Sequence, residues 1–262
     1  MRKATLLTAF AAAALAAAIA SPAAAQIFDV TVRGGDAIFL AGRTDVVVPP
    51  ASDPWTGPGT YLARHPRPTP EEIQETHPPW IPVVGGDVVR VLDPAIGGIN
   101  FFNGYGPPFY GPGGNSLAGS DLLPLDGISG YKGPEGPLTG VFLDGSIPDT
   151  GPPPPTLDFT PSGLGTAFST LSPLLRQVFY IGDGVTGPTF KTFIAPAGAT
   201  RLFLGIPDGF GFDGHPGAYD DNDGAYRVRV GVNRMPDIPE PGPLALLVGA
   251  AAGMAAFARR RR

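Results

Sequence analysis

The densest chemistry in the chain lies between Ile206 and Tyr226, where Asp208, Asp213, Asp220, Asp221, Asp223 and Asn222 fall within 16 residues. Carboxylates this close repel one another unless water or a cation neutralises them. A hard cation that takes about six to eight oxygen ligands suits such a segment, which makes calcium the natural partner. The segment is not an EF-hand. Aligning the loop glycine on Gly224 puts Tyr219 at the first position and Val230 at the twelfth, where that loop needs carboxylates. The competing reading is a solvated turn between two strands, an ordinary use of Asn, Asp and Gly.

Within this stretch, Pro216 to Tyr226 reads Pro-Gly-Ala-Tyr-Asp-Asp-Asn-Asp-Gly-Ala-Tyr and runs straight into an alternating strand. It resembles the calcium loop of the PA-IL-type galactose-binding bacterial lectins, where Pro-Gly-x-Tyr-x-Asn-Asn-x-Gly-x-Phe precedes the last strand. The resemblance implies a galactose-binding-like β-sandwich or jelly roll. It also implies a calcium ion held by the side chains of Asp221 and Asn222 and by the backbone carbonyl of Ala218. The family draws a further carbonyl from a Tyr-Gly-Pro loop, which falls on Tyr105-Gly106-Pro107. Its remaining ligand, an Asp two residues before the Pro-Gly pair, falls on Gly214, so Asp213, displaced by one, is the candidate here. In the lectins sugar hydroxyls complete the calcium shell. The implied partner is therefore a polysaccharide such as the cell's own exopolymer, with Asp213 and His215 at the loop rim as candidate ligand contacts.

Catalytic patterns are scarce. There is no Cys and there are three scattered His, which excludes disulfides, thiolate metal sites and cysteine nucleophiles. Nucleophile-elbow, phosphate-loop and His-Glu-x-x-His patterns are absent, so a non-enzymatic role is expected. A carboxylate pair for glycoside hydrolysis meets in space, not in sequence, and Asp183 and Asp208 are the residues that would form one.

The elements that must position these residues are strands. Gly and Pro make up 71 of 262 residues (38 and 33), which rules out a helical bundle. The chain is also 43% hydrophobic and 16% charged, too apolar for a disordered polymer. Strand patterns fall at Ile27–Val32, Ala37–Ala41, Val88–Val91, Ile99–Phe102, Leu138–Leu143, Val178–Ile181, Phe190–Ile194, Arg201–Leu204 and Tyr226–Val232. Residues 49 to 80 hold nine prolines with Glu71, Glu72 and Glu75 and read as an extended surface loop, pinned by Trp55, Tyr61 and Trp80. The expectation is an all-β sandwich or jelly roll over residues 26–233 with long Gly- and Pro-rich loops.

Both ends read as addresses. Arg2 and Lys3, an apolar run from Ala4 to Ala20, Pro22 and the small residues Ala23 to Ala25 form a secretory signal peptide over residues 1–25, cleaved after Ala25. At the other end Pro239-Glu240-Pro241 precedes an apolar helix over residues 243–258 and the cluster Arg259 to Arg262. The apolar run from Leu244 to Ala258 reaches about 22 Å at about 1.5 Å per residue, short of a hydrocarbon core of about 30 Å, and snorkelling arginines extend it. The arginines set the cytoplasmic side. These three parts, in this order over the last 24 residues, resemble the PEP-CTERM sorting signal of Gram-negative bacteria, which spans residues 234–262 here. The resemblance implies handling by signal peptidase and then by an exosortase at Pro239, Glu240 and Pro241. The chain would cross the inner membrane, be held there by its tail, and pass to the cell surface or extracellular matrix. A plain single-span anchor is the alternative.

Setting aside Arg2, Lys3 and the four terminal arginines leaves 12 of the 18 basic residues against 23 acidic ones, a net of −11. A body that negative repels phosphate backbones, so nucleic acid is not an expected partner.

Overall fold

The computed structural model describes residues 25–46, 75–101, 109–149, 151–219 and 222–236. In chain order the first strands are β1 (Gln26–Arg33), β2 (Trp80–Pro82), β3 (Val88–Val91), β4 (Ile96–Asn100), β5 (Asn115–Leu122), β6 (Tyr131–Glu135) and β7 (Thr139–Leu143). They are followed by β8 (Thr170–Leu171), β9 (Val178–Tyr180), β10 (Val185–Thr186), β11 (Thr189–Phe190), β12 (Thr192–Ile194), β13 (Arg201–Gly205), β14 (Asp213–Gly214) and β15 (Asp223–Val232). The described residues contain no α-helix, so this body is all-β, as its Gly and Pro content dictates.

Two sheets pack as a sandwich. The larger runs β1-β15-β3-β12-β8, with β4 also pairing β15, and the smaller runs β2-β13-β7-β9. A third sheet, β14-β5-β6, closes one side. Strand β15 shows why the sequence pairs this way. Tyr226, Val228 and Val230 alternate with Arg227 and Arg229, so one face is buried and the other meets solvent. Its partner β1 holds register over eight pairs, from Gln26 opposite Val232 to Arg33 opposite Ala225. A one-residue slip would turn the arginines into the core.

Aromatic contacts join the two layers. Phe179 of β9 lies 5.2 Å from Phe142 of β7 and 5.0 Å from Phe193 of β12, centroid to centroid, so one ring bridges the sheets. Strand β7 is buried along its whole length between β13 and β9. This is consistent with its continuous apolar run and lack of alternation.

Two expectations change, and one hairpin forms where the sequence pattern marked no strand. Ala37–Ala41 is buried but is not a strand: Ile38–Leu40 form a 3-10 turn closed by Leu40 N–H to Ala37 O and Ala41 N–H to Ile38 O. A short apolar run buries equally well in either conformation. The stretch from 49 to 80 is not all surface loop. Glu75 is 1% exposed, Thr76 N–H donates to Gly35 O, and Trp80 opens β2 with its ring 6.3 Å from that of Phe203. The β5–β6 hairpin arises from Gly- and Ser-rich sequence with little alternation, and its register shifts between Asn115 and Gly119.

No helix among the described residues is long and apolar enough to cross a membrane. Ala25 is exposed immediately before β1. The rest of the expected signal peptide, Pro239, Glu240, Pro241, the tail helix and the Arg cluster lie outside the described residues.

Candidate metal centre

The carboxyl-rich segment enters β15 at the end of the large sheet, and Asn222 is the residue around which the local structure is built. It is 1% exposed. Its Nδ2 donates to Asp208 Oδ2 at 2.7 Å and to Gly34 O at 3.1 Å. Its Oδ1 is buried with no hydrogen-bond partner. A buried amide oxygen without a partner costs free energy on the order of 1–3 kcal/mol, and Glu75 Oε2 is a second buried oxygen without a hydrogen bond.

Asp208 reaches this point because Tyr219 anchors both arms of the loop. The Tyr219 hydroxyl, fully buried, donates to Ile206 O at 2.7 Å and accepts Asp208 N–H at 3.1 Å. Asp208 Oδ1 accepts Gly209 N–H at 2.7 Å, Asp208 O accepts Gly217 N–H at 3.0 Å, and Tyr219 O accepts Asn222 N–H at 3.3 Å. Burial pushes the Tyr219 phenol well up, and the charges of Asp208 and Glu75 push it further.

The Gly34-Gly35-Asp36 turn forms the opposite wall. Gly34 N–H donates to Gly224 O at 3.1 Å, and a Cβ at Gly34 would stand 2.7 Å from the Cβ of Asn222, so only glycine fits. Asp36 accepts Arg33 N–H at 2.7 Å and the Thr76 hydroxyl at 2.6 Å. Burial still raises its carboxyl above the usual carboxylate range, against the lowering effect of those bonds.

The residues expected from sequence fall as follows. Asn222 is at the centre, and Ala218 is 5% exposed with φ +63°, a left-handed conformation that turns the chain between the Pro216-Gly217 pair and Tyr219. Asp213 is exposed on β14, opposite Asp121, and shares no hydrogen bond with Asn222 or Asp208. The carboxylate beside Asn222 is that of Asp208. His215 Nδ1 donates to Pro216 O at 2.8 Å, which fixes its ring on the loop. Tyr105 and Asp221 lie outside the described residues. The segment that holds Tyr105 follows β4, whose Asn100 stands opposite Asp223, one residue from Asn222. Asp183 caps its own turn, accepting Val185 N–H at 3.1 Å, and has no hydrogen-bond partner in common with Asp208.

The donor set fits a hard cation. A carboxylate, a side-chain amide and backbone carbonyls are calcium ligands by type, and Asn222 Oδ1 is an oxygen in need of a partner. Among the described residues, no three His, Cys, Asp or Glu side chains gather to hold a metal. A cation held here would have to draw on mixed carboxylate, amide and carbonyl oxygens. Sequence reasoning counted Asp208 among the segment's carboxylates but did not place it beside Asn222, because 13 residues intervene.

No family model matches the chain, no curated protein matches its sequence, and no solved structure matches its fold.

Proposed function

We propose that this chain is an exported bacterial surface or extracellular-matrix protein whose sandwich is a calcium-binding, lectin-like module that engages exopolysaccharide. The observation that carries the reading is the buried Asn222 amide, whose Nδ2 donates to Asp208 Oδ2 and whose Oδ1 has no hydrogen-bond partner. Calcium would draw on Asp208, the Asn222 amide, the Ala218 carbonyl and Asp221. It would relieve the crowding of negative charge that otherwise costs stability.

In this reading the two ends are processing signals. Signal peptidase acts after Ala25, and an exosortase acts at Pro239-Glu240-Pro241 once the tail helix has held the chain in the inner membrane. The support is the order of the tripeptide, apolar run and arginines at the C-terminus beside an N-terminal signal sequence.

A second reading has an observation in its favour. Asn222, Asp208 and Tyr219 are all at most 2% exposed, which suits a calcium ion that braces the loop better than one that presents open positions to a sugar. The chain would then be a structural building block of the surface or biofilm, without sugar affinity at this loop. Retention of the protein on its cell's exopolysaccharide, measured with calcium and with a chelator for the native chain and the Asp208→Ala variant, separates the two. Calcium-dependent retention that the variant loses supports the lectin reading. Unchanged retention with a lowered melting temperature supports the structural one.

A further inference from the structure

The outer face of the large sheet gathers arginines on an acidic body. Alternation in β1 and β15 turns Asp29, Thr31, Arg33, Arg227 and Arg229 to solvent, with Asp29 opposite Arg229 and Thr31 opposite Arg227. On the far side of β15, β4 sets Ile96 opposite Arg227. A cavity of about 300 Å³ opens here, lined by Asp29, Thr31, Asp93, Ile96, Arg227 and Arg229 among others.

The two central arginines differ. Arg229 is held between carboxylates, with Nε 3.8 Å from Asp29 Oδ1 and Nη1 3.4 Å from Asp93 Oδ2. Arg227 is exposed and makes no side-chain hydrogen bond or ion pair with any described residue. Arg33, diagonal to it across the β1–β15 pair, is also exposed and makes no side-chain hydrogen bond or ion pair among the described residues. Ile96 is 60% exposed beside them.

We propose that this groove binds a carboxylated sugar unit of an acidic polysaccharide. A guanidinium fork without a partner matches a carboxylate in bidentate geometry, which is Arg227's role. Asp29 and Asp93 accept hydrogen bonds from sugar hydroxyls, and Ile96 with Pro94 offers apolar surface to the C–H face of a ring. This mixture of donor, acceptor and apolar surface fits a polyhydroxylated acid. A phosphate backbone fits it less well, because duplex DNA carries a charge about every 1.7 Å and meets Asp29 and Asp93 more often than a chain with one carboxylate per sugar unit does. The inference shares with the proposed function only the source of the ligand. It makes no use of the Asp208–Asn222 centre.

The test is retention of the full chain, in mild detergent, on immobilised oligogalacturonate in calcium and in chelator, with neutral dextran and duplex DNA as comparison matrices. Expected is retention on oligogalacturonate alone, present in chelator and lowered by calcium, which competes for the sugar carboxylates, weakened by salt, and reduced about tenfold in Arg227→Glu, the worth of one charge-assisted hydrogen bond. Arg227→Gln, which removes the charge without reversing it, loses retention to a smaller degree. Retention that needs calcium, that DNA or dextran matches, that survives Arg227→Glu, or that the native chain does not show would overturn the proposal.

Discussion

The side chain of Asn222 donates to that of Asp208, 14 positions earlier in the chain, at 2.7 Å, so a loop rich in like charges closes on an amide and not on a basic residue. An amide can turn to offer either its nitrogen or its oxygen. With Nδ2 inward it bridges Asp208 and Gly34 O, and with Oδ1 inward three oxygens would converge, an arrangement that a bound cation stabilises. The calcium reading therefore predicts two states of one side chain.

Gly34 sets the room for that side chain. A Cβ at this position would stand 2.7 Å from Asn222 Cβ and 3.1 Å from Asn222 O, so Gly34→Ala pushes Asn222 away from Asp208. The expected cost is about 1–3 kcal/mol, with a weakened calcium response, read from urea melts in calcium and in chelator. A variant as stable and as responsive as the native protein would show that the contact yields freely.

Tyr219→Phe removes the hydroxyl that ties Ile206 O to Asp208 N–H. Ile206 O keeps a bond from Ile38 N–H at 3.1 Å, whereas Asp208 N–H is left buried and unpaired. The loss is expected at about 1–3 kcal/mol in urea unfolding. A change below about 0.5 kcal/mol would mean that water replaces the hydroxyl.

Lys191 makes stability rise with alkaline pH. It is 1% exposed, its Nζ donates to Ile181 O at 3.2 Å and lies 4.6 Å from the Tyr180 ring centroid. Burial pushes its ammonium down to about 8, against the Asp183 charge that holds it up. A lysine in the unfolded chain titrates near about 10.4, so between about pH 8 and 10 the unfolded state binds the extra proton and stability climbs. Below about pH 8 the cost is fully present. Tyr180, pushed up to about 12 by burial and then by the Asp183 charge, acts in the opposite sense. Its contribution is present below about pH 10 and is lost toward pH 12. Lys191→Met should flatten the rise between pH 8 and 10 and keep the fall above it, as measured by melting temperature against pH. Parallel curves for the two proteins would contradict this assignment.

Much of the fold was legible where one face of a strand meets water. The alternation of Tyr226 to Val232 and of Ile27 to Val32 marks β15 and β1, and both form with the polar side outward. Ala37 to Ala41 misled because a run buried on all sides carries no period, and the chain there turns instead of extending. In the carboxyl-rich loop, both Asn222 and Asp208 stand out by residue type, but their pairing was not legible. That pairing depends on Tyr219 joining Ile206 and Asp208 and on Gly34 leaving space, relations set by packing and not by spacing in the chain. Glu75 reads as one of three loop glutamates, and its burial follows from Thr76 pairing with Gly35, which no local pattern announces.

Whether calcium completes the Asp208–Asn222 centre is tested most directly by the melting temperature of the purified protein in excess calcium and in chelator, for the native chain and for Asp208→Ala. A ligand that binds only the folded state stabilises it by about 2.7 kcal/mol at a concentration about 100 times its Kd, so the native protein should melt higher as calcium rises and the variant should not respond. Identical melts of the native protein in calcium and in chelator would contradict a calcium-completed centre.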